Sequence, residues 1–453
     1  MVGRRDFIKL LTVAGSVAGC GPAQREYRRT EDVSSGEVIP GKLTCRKDST
    51  GEDTVSLLGF GCMRIPLLDV QQVHDGEKYD QESFNAMVDF ALRYGVNYFD
   101  TSPRYCEGKS EEIVGKALSR YDRKSYYLAT KMSNMAPETQ SREESLAIYH
   151  RSMERLQTDY FDYYLVHDVG DYETFKKRFL DNGILDFLLS ERQAGRIRHL
   201  GWSFHGQKEF FDWMFDCGVE WDFTQIQLNY LDWQHATGKN VNAEYLYEEL
   251  AKRGIQAIVM EPLRGGMLAR GNRQIRALFK GHSPEKSVAS WAFRFAASLP
   301  NVLTVLSGMT YMEHLRDNIL TFSPLDPLDD EETALVRQAV ESLTSSSVDG
   351  TPCTGCEYCM PCAYGLDIPG IFLHYNRCLI EQTLPASRED DGYRRARRAF
   401  LIGYDRAVPR LRQADHCTGC QDCVSKCPQR IDIPKEMLKI DGYVEKLRAE
   451  GGF

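Results

Sequence analysis

The sequence predicts an α/β chain: a closed (β/α)8 barrel of the TIM type, followed by a smaller, mainly helical domain. Three observations carry this. Short apolar runs alternate with amphipathic stretches from residue 55 to about 323, the pattern of repeated βα units around a parallel sheet. These runs number eight, at residues 57–63, 97–101, 125–130, 160–166, 197–203, 222–227, 255–260 and 303–306. The 453 residues also exceed what one core usually supports, about 250 to 300, and eight of the 14 cysteines crowd into two runs near the C-terminus.

Between the predicted strands the helices carry their own signals. Phe84, Met87, Val88 and Ala91 share one helical face, and Gly95 stands just beyond it, where a left-handed cap is wanted. Ser110 is placed to cap the next helix, whose apolar stripe is Ile113, Val114, Ala117 and Leu118. Eight strand-helix units in roughly 270 residues suit a closed barrel, typically about 250 residues long, better than the alternative of an open doubly wound sheet. The expected organisation is a barrel over 51–325, a helical connector over 326–350 and the cysteine domain over 351–440.

Apolar residues make up 42% of the chain and aromatics 11%, ample for a packed core. The net charge of -9 removes the basic footprint of a nucleic-acid binder. The first twenty residues read as an export signal: Arg4-Arg5 resembles a twin-arginine address, and an apolar run too short to span a bilayer follows. Val17-Ala18-Gly19-Cys20 resembles a lipobox, with Cys20 as the lipidated residue, and residues 21–50 then form a tether. The chain is thus expected outside the cytoplasmic membrane, held only by that anchor. The alternative is a cytoplasmic protein whose N-terminus is never cleaved.

Cys417, Cys420, Cys423 and Cys427, with Pro428 after them, have the spacing of bacterial ferredoxins, in which three thiolates wrap one 4Fe-4S cubane and the fourth reaches its neighbour. Cys353, Cys356, Cys359 and Cys362 repeat it with a last gap one residue shorter, and both runs end in a similar Leu/Ile-Asp-Ile-Pro segment. Crossed ligation assigns Cys353, Cys356, Cys359 and Cys427 to one cluster, and Cys417, Cys420, Cys423 and Cys362 to the other. Zinc is the competing reading, but structural zinc sites separate their C-x2-C pairs by a dozen or more residues. Cys20, Cys45, Cys62, Cys106, Cys217 and Cys378 stand singly, and most of them read as small buried hydrophobes. The basic stretch Tyr393-Arg394-Arg395-Ala396-Arg397-Arg398 reads as a solvated helix face, with docking of an acidic redox partner protein as the functional alternative.

Catalytic residues of such barrels sit where strands end. Asp100, Lys131 and His167 close three consecutive predicted strands, and Tyr105 follows Asp100 on its loop. An ammonium beside a phenol is expected to lower the tyrosine's pKa, and a carboxylate to orient the lysine. Tyr105 could then protonate a carbonyl oxygen held by His167 while hydride arrives at the carbon.

Tyr98-Phe99-Asp100-Thr101-Ser102-Pro103-Arg104-Tyr105, Ala129-Thr130-Lys131 and Leu165-Val166-His167-Asp168 resemble the aldo-keto reductase family, and the whole chain is similar to the branch with a C-terminal ferredoxin-like domain. The resemblance implies a catalytic tetrad of Asp100, Tyr105, Lys131 and His167. It implies nicotinamide binding by Ser203, Gln225 and Asn229, and phosphate binding by Ser307, Gly308 and Asn318. The cofactor would be NAD or NADP. Met309-Thr310-Tyr311-Met312 offers no lysine or arginine where NADP-preferring relatives grip the 2'-phosphate, and Glu261 brings a carboxylate toward the cofactor groove. The reading is an oxidoreductase that interconverts a small carbonyl and an alcohol, with electrons relayed through two 4Fe-4S clusters. Its rivals are an electron-transfer module with a silent barrel, and a cytoplasmic NAD(P)H-dependent reductase.

Overall fold

The computed structural model describes residues 41–68, 78–237, 240–344 and 350–450. The expected signal, Cys20 and most of the expected tether lie outside them. Among the described residues no helix is long and apolar enough to cross a membrane.

Residues 41–50 do not hang free as a tether. A short hairpin, β1 (Cys45–Lys47) and β2 (Thr54–Ser56), pairs antiparallel, Leu43 is buried in the main core, and Thr44 N donates to Phe322 O at 2.9 Å.

Eight parallel strands then close a barrel: β3 (Leu58–Gly61), β4 (Tyr98–Asp100), β5 (Tyr127–Met132), β6 (Phe161–Val169), β7 (Ile197–Phe204), β8 (Phe223–Gln227), β9 (Gln256–Met260) and β10 (Val302–Ser307), with β10 pairing both β9 and β3. Each overlaps its predicted run. A long helix follows every strand, and outward-facing strand residues such as Phe60, Tyr164, Trp202 and Ile226 pack beneath these helices in one core. Inward-facing Tyr98, Ala129, Tyr163, Leu165, Phe223 and Ile258 fill the lumen. Gly201 is required there, since a methyl on it would stand 2.4 Å from Phe223 O.

Gly95 takes the expected left-handed conformation, φ 92°, after the helix Gln81–Arg93. Ser110 does not cap its helix. It is the first helical residue, and its hydroxyl donates instead to Cys62 O at 2.7 Å, tying the helix to the segment after β3.

The connector helix Asp330–Thr344 packs on Arg273–His282, and buried Arg294 holds it through paired contacts of 2.5 Å to Glu332. Beyond it, helices Ile368–Ile380, Tyr393–Ala407 and Ile433–Ala449 enclose a second core, against which several of the clustered cysteines pack. Arg397 turns inward from the basic stretch and donates to Leu447 O at 2.5 Å, while Arg394, Arg395 and Arg398 are exposed.

Candidate active site and cluster domain

Strand periodicity builds the site. Side chains alternate across a strand, so the residues two beyond the lumen-filling Tyr98, Ala129, Leu165, Gly201 and Phe223 also face inward. These are Asp100, Lys131, His167, Ser203 and Gln225, a ring at the C-terminal mouth with every member nearly inaccessible.

Lys131 Nζ donates to both Asp100 carboxylate oxygens, at 2.6 and 2.7 Å, and to Thr101 O at 2.8 Å. Its ammonium also lies 5.0 Å from the Tyr105 ring centre. The four predicted catalytic residues are therefore adjacent. Burial lowers the Lys131 pKa and raises that of Asp100, each opposed by the other's charge. The Tyr105 phenol differs from expectation: burial pushes it well above its usual range, and Tyr358 and Asp100 add to this. Burial dominates, so no lowering results.

His167 is braced from all sides. Its Nδ1 lies 2.5 Å from Ser133 Oγ, and its carbonyl accepts from buried Arg178 at 2.6 Å. Burial, with Lys131 and Arg178 nearby, drives its pKa well below the usual range, so the ring is neutral at physiological pH. Ser133 and Arg178 are not visible as site residues in the sequence. Arg178 sits in a π-helical turn, Lys176–Leu180, whose contact with β6 only the fold creates.

The predicted cofactor residues separate into groups. Ser203 and Gln225 are register partners on β7 and β8. Ser203 Oγ accepts from Asp168 N at 2.8 Å, whereas Gln225 Oε1 is buried without a hydrogen-bond partner, an acceptor that suits an amide donor. Asn229 is committed to its own loop: its amide donates to Asp232 Oδ2 and Glu261 O, and its oxygen accepts from two backbone N–H groups. Ser307 and Asn318 bond each other at 2.9 Å. Arg64, unnoticed in the sequence, lies over Gly308, where a methyl would meet its Cδ at 3.2 Å.

The cysteine domain seats on this mouth. Thr354 O accepts from Arg64 at 2.6 Å, Gln429 donates to Gln227 at 3.0 Å, and Arg430 approaches Asp171 at 3.8 Å. Tyr358, between Cys356 and Cys359, reaches deepest, its hydroxyl 3.1 Å from His167 Nε2. Cys353, Cys356, Cys359 and Cys427 line one cavity with Ile368, Phe372 and Ile431. Burial first, and then one another's proximity, raise these thiols, Cys353 to about 12. Burial and nearby Cys417, Cys420 and Cys362 push Cys423 to about 11. The sulfurs thus group by the crossed pattern that the spacing implies. Among the described residues no three histidine, cysteine or carboxylate side chains converge to hold a single metal ion. Thiols arranged around a cavity suit a polynuclear cluster, whose irons would offset the cost of buried thiolates.

Comparison with known proteins agrees. Residues 352–433 match a 4Fe-4S dicluster domain, and residues 57–341 match the aldo/keto reductase family. Over 280 residues the chain is 26% identical to L-galactose dehydrogenase of Arabidopsis thaliana, covering 56% of this chain and 83% of that one. It is also 26% identical, over 299 residues, to the NADH-specific methylglyoxal reductase of Escherichia coli, covering 56% and 86% respectively. The barrel fold recurs in a holo-form aldo-keto reductase from Bacillus halodurans, with a TM-score of 0.52 at 23% identity over 66% of this chain and 96% of that one. The family match spans more than half of the 453 residues, and this chain accordingly belongs to the aldo/keto reductase family of oxidoreductases.

Proposed function

We propose that this protein reduces a small carbonyl compound with a nicotinamide cofactor, and that two 4Fe-4S clusters connect the barrel to an external electron source. The observation that carries the reading is the Asp100-Lys131-Tyr105-His167 constellation lying directly beneath the Cys356–Cys359 turn. Nicotinamide, when bound, would supply hydride to the carbonyl, and the clusters would pass in two electrons singly which, with one proton, return the oxidised nicotinamide to its reduced form.

The chain's own residues do the rest. Neutral His167 positions the substrate oxygen, and Tyr105 gives it a proton, which completes the alcohol. A phenol held above its usual pKa stays protonated at physiological pH, the form a proton donor requires. Gln225 Oε1 is suited to accept from the nicotinamide carboxamide beside Ser203, while the Arg64 stem packs over Gly308 and its guanidinium is committed to Thr354 O. The Met309–Met312 loop offers no cation for a 2'-phosphate, which favours NADH. The set Cys353, Cys356, Cys359 and Cys427 adjoins the barrel, whereas Cys420 of the other set is exposed, an order suited to inward relay from a redox partner.

Anaerobic purification with iron, sulfide and EPR analysis, followed by an NADH-dependent carbonyl assay, tests the reading. About eight irons per chain and turnover are expected. Zinc in place of iron, or clusters with no turnover, would refute it.

A further inference from the structure

Tyr358 belongs to the cluster domain yet its hydroxyl reaches into the mouth of the barrel. Glu357 before it takes a left-handed conformation, φ 64°, and the turn delivers a phenol that is only 7% exposed. Its hydroxyl meets His167 Nε2 at 3.1 Å and lies close enough to Tyr105 to help raise that phenol's pKa, while the Arg104 guanidinium lies 5.3 Å from its ring centre. Tyr105 and His167 are the two groups between which a carbonyl oxygen has to sit to be protonated.

Resting on the reading above, we propose that the Tyr358 hydroxyl occupies the substrate-oxygen subsite, so that the loop between Cys356 and Cys359 competes with the substrate. A carbonyl enters as Tyr358 withdraws. Because the withdrawing residue is flanked by two cysteines of the barrel-side cavity, substrate binding displaces part of that cluster's own loop. Arg64 on Thr354 O and Glu261 beside it hold the neighbouring turn, leaving the 357–358 step as the part that moves.

The test uses the anaerobically purified full chain as wild type, Tyr358→Phe and Tyr358→Ala, with iron content and cluster absorbance confirming that each is folded. Acetate serves as the oxygen probe, titrated calorimetrically with and without NADH, and KM and kcat are measured for methylglyoxal. Loss of the hydroxyl's hydrogen bond to His167 should tighten acetate about three- to tenfold in Tyr358→Phe, and at least as much in Tyr358→Ala. KM should fall in parallel, with kcat nearly unchanged. Unchanged acetate affinity in both variants overturns the proposal, as does a fall in kcat at constant KM, which would make Tyr358 a participant in the chemistry. If acetate tightens but no variant reduces methylglyoxal, the subsite assignment stands and the proposed reaction fails instead.

Discussion

The hydroxyl of Tyr358 lies 3.1 Å from Nε2 of His167, joining a residue confined between two cluster cysteines to the end of a barrel strand 191 positions earlier. The two domains therefore meet at the candidate active site, and changes on either side should be felt on the other.

Lys131→Met leaves the Asp100 carboxylate buried and unpaired. Removing one partner of a buried pair costs about 3–5 kcal/mol. A matching loss in denaturant unfolding is expected, together with loss of carbonyl turnover. The double variant Asp100→Asn/Lys131→Met should recover part of the stability and none of the activity.

Gln225→Leu removes an acceptor that is buried without a partner. Stability should hold or rise, because an unsatisfied polar group is lost. NADH affinity, followed by fluorescence titration, should weaken about tenfold, the loss of one hydrogen bond of about 1.4 kcal/mol. Unchanged affinity would remove Gln225 from the cofactor site.

Burial, with Arg377 adding to it, holds the His374 pKa at about 4 in the folded chain, below its ordinary 6.5. The folded state thus binds this proton less readily than the unfolded one. The contribution is fully present above pH 6.5 and is lost as pH falls toward 4. Urea unfolding of wild type at pH 7.5 and 5 should show that loss, and His374→Gln should show less of it.

Glu332, held at about 2 by its bonds to Arg294 against the opposing effect of burial, behaves likewise at lower pH, its contribution disappearing between about 4.5 and 2. Arg294→Met should destabilise the chain by about 3–5 kcal/mol at neutral pH. Thermal melts would show it.

Much of this was legible in the residues because it depends on local periodicity. The eight strands are apolar runs between turn signals, and the tetrad lies at their ends in chain order. The grouping of the sulfurs follows from cysteine spacing alone. What depended on tertiary contact was hidden. Ser110 looks like a helix cap, but Cys62 O takes its hydroxyl. The hairpin at Cys45–Lys47 is too short and polar to stand out from a tether. Arg64 and Arg178 become site residues only through the loops they touch. Tyr358 is one of 23 tyrosines, and only the docking of the cluster domain brings it to His167. The Tyr105 pKa differs from expectation because its burial, the main cause of the rise, and the approach of Tyr358 arise only from tertiary contact.

The central claim is that the barrel performs chemistry and the clusters feed it. Tyr105→Phe removes the proton donor and touches no cysteine, so one anaerobic preparation can report both halves. The account predicts that NADH-dependent carbonyl reduction falls about 10²- to 10⁴-fold while dithionite reduction of the clusters, followed by EPR, is unchanged. Carbonyl turnover equal to wild type would contradict it, and the barrel would then be a scaffold for electron transfer.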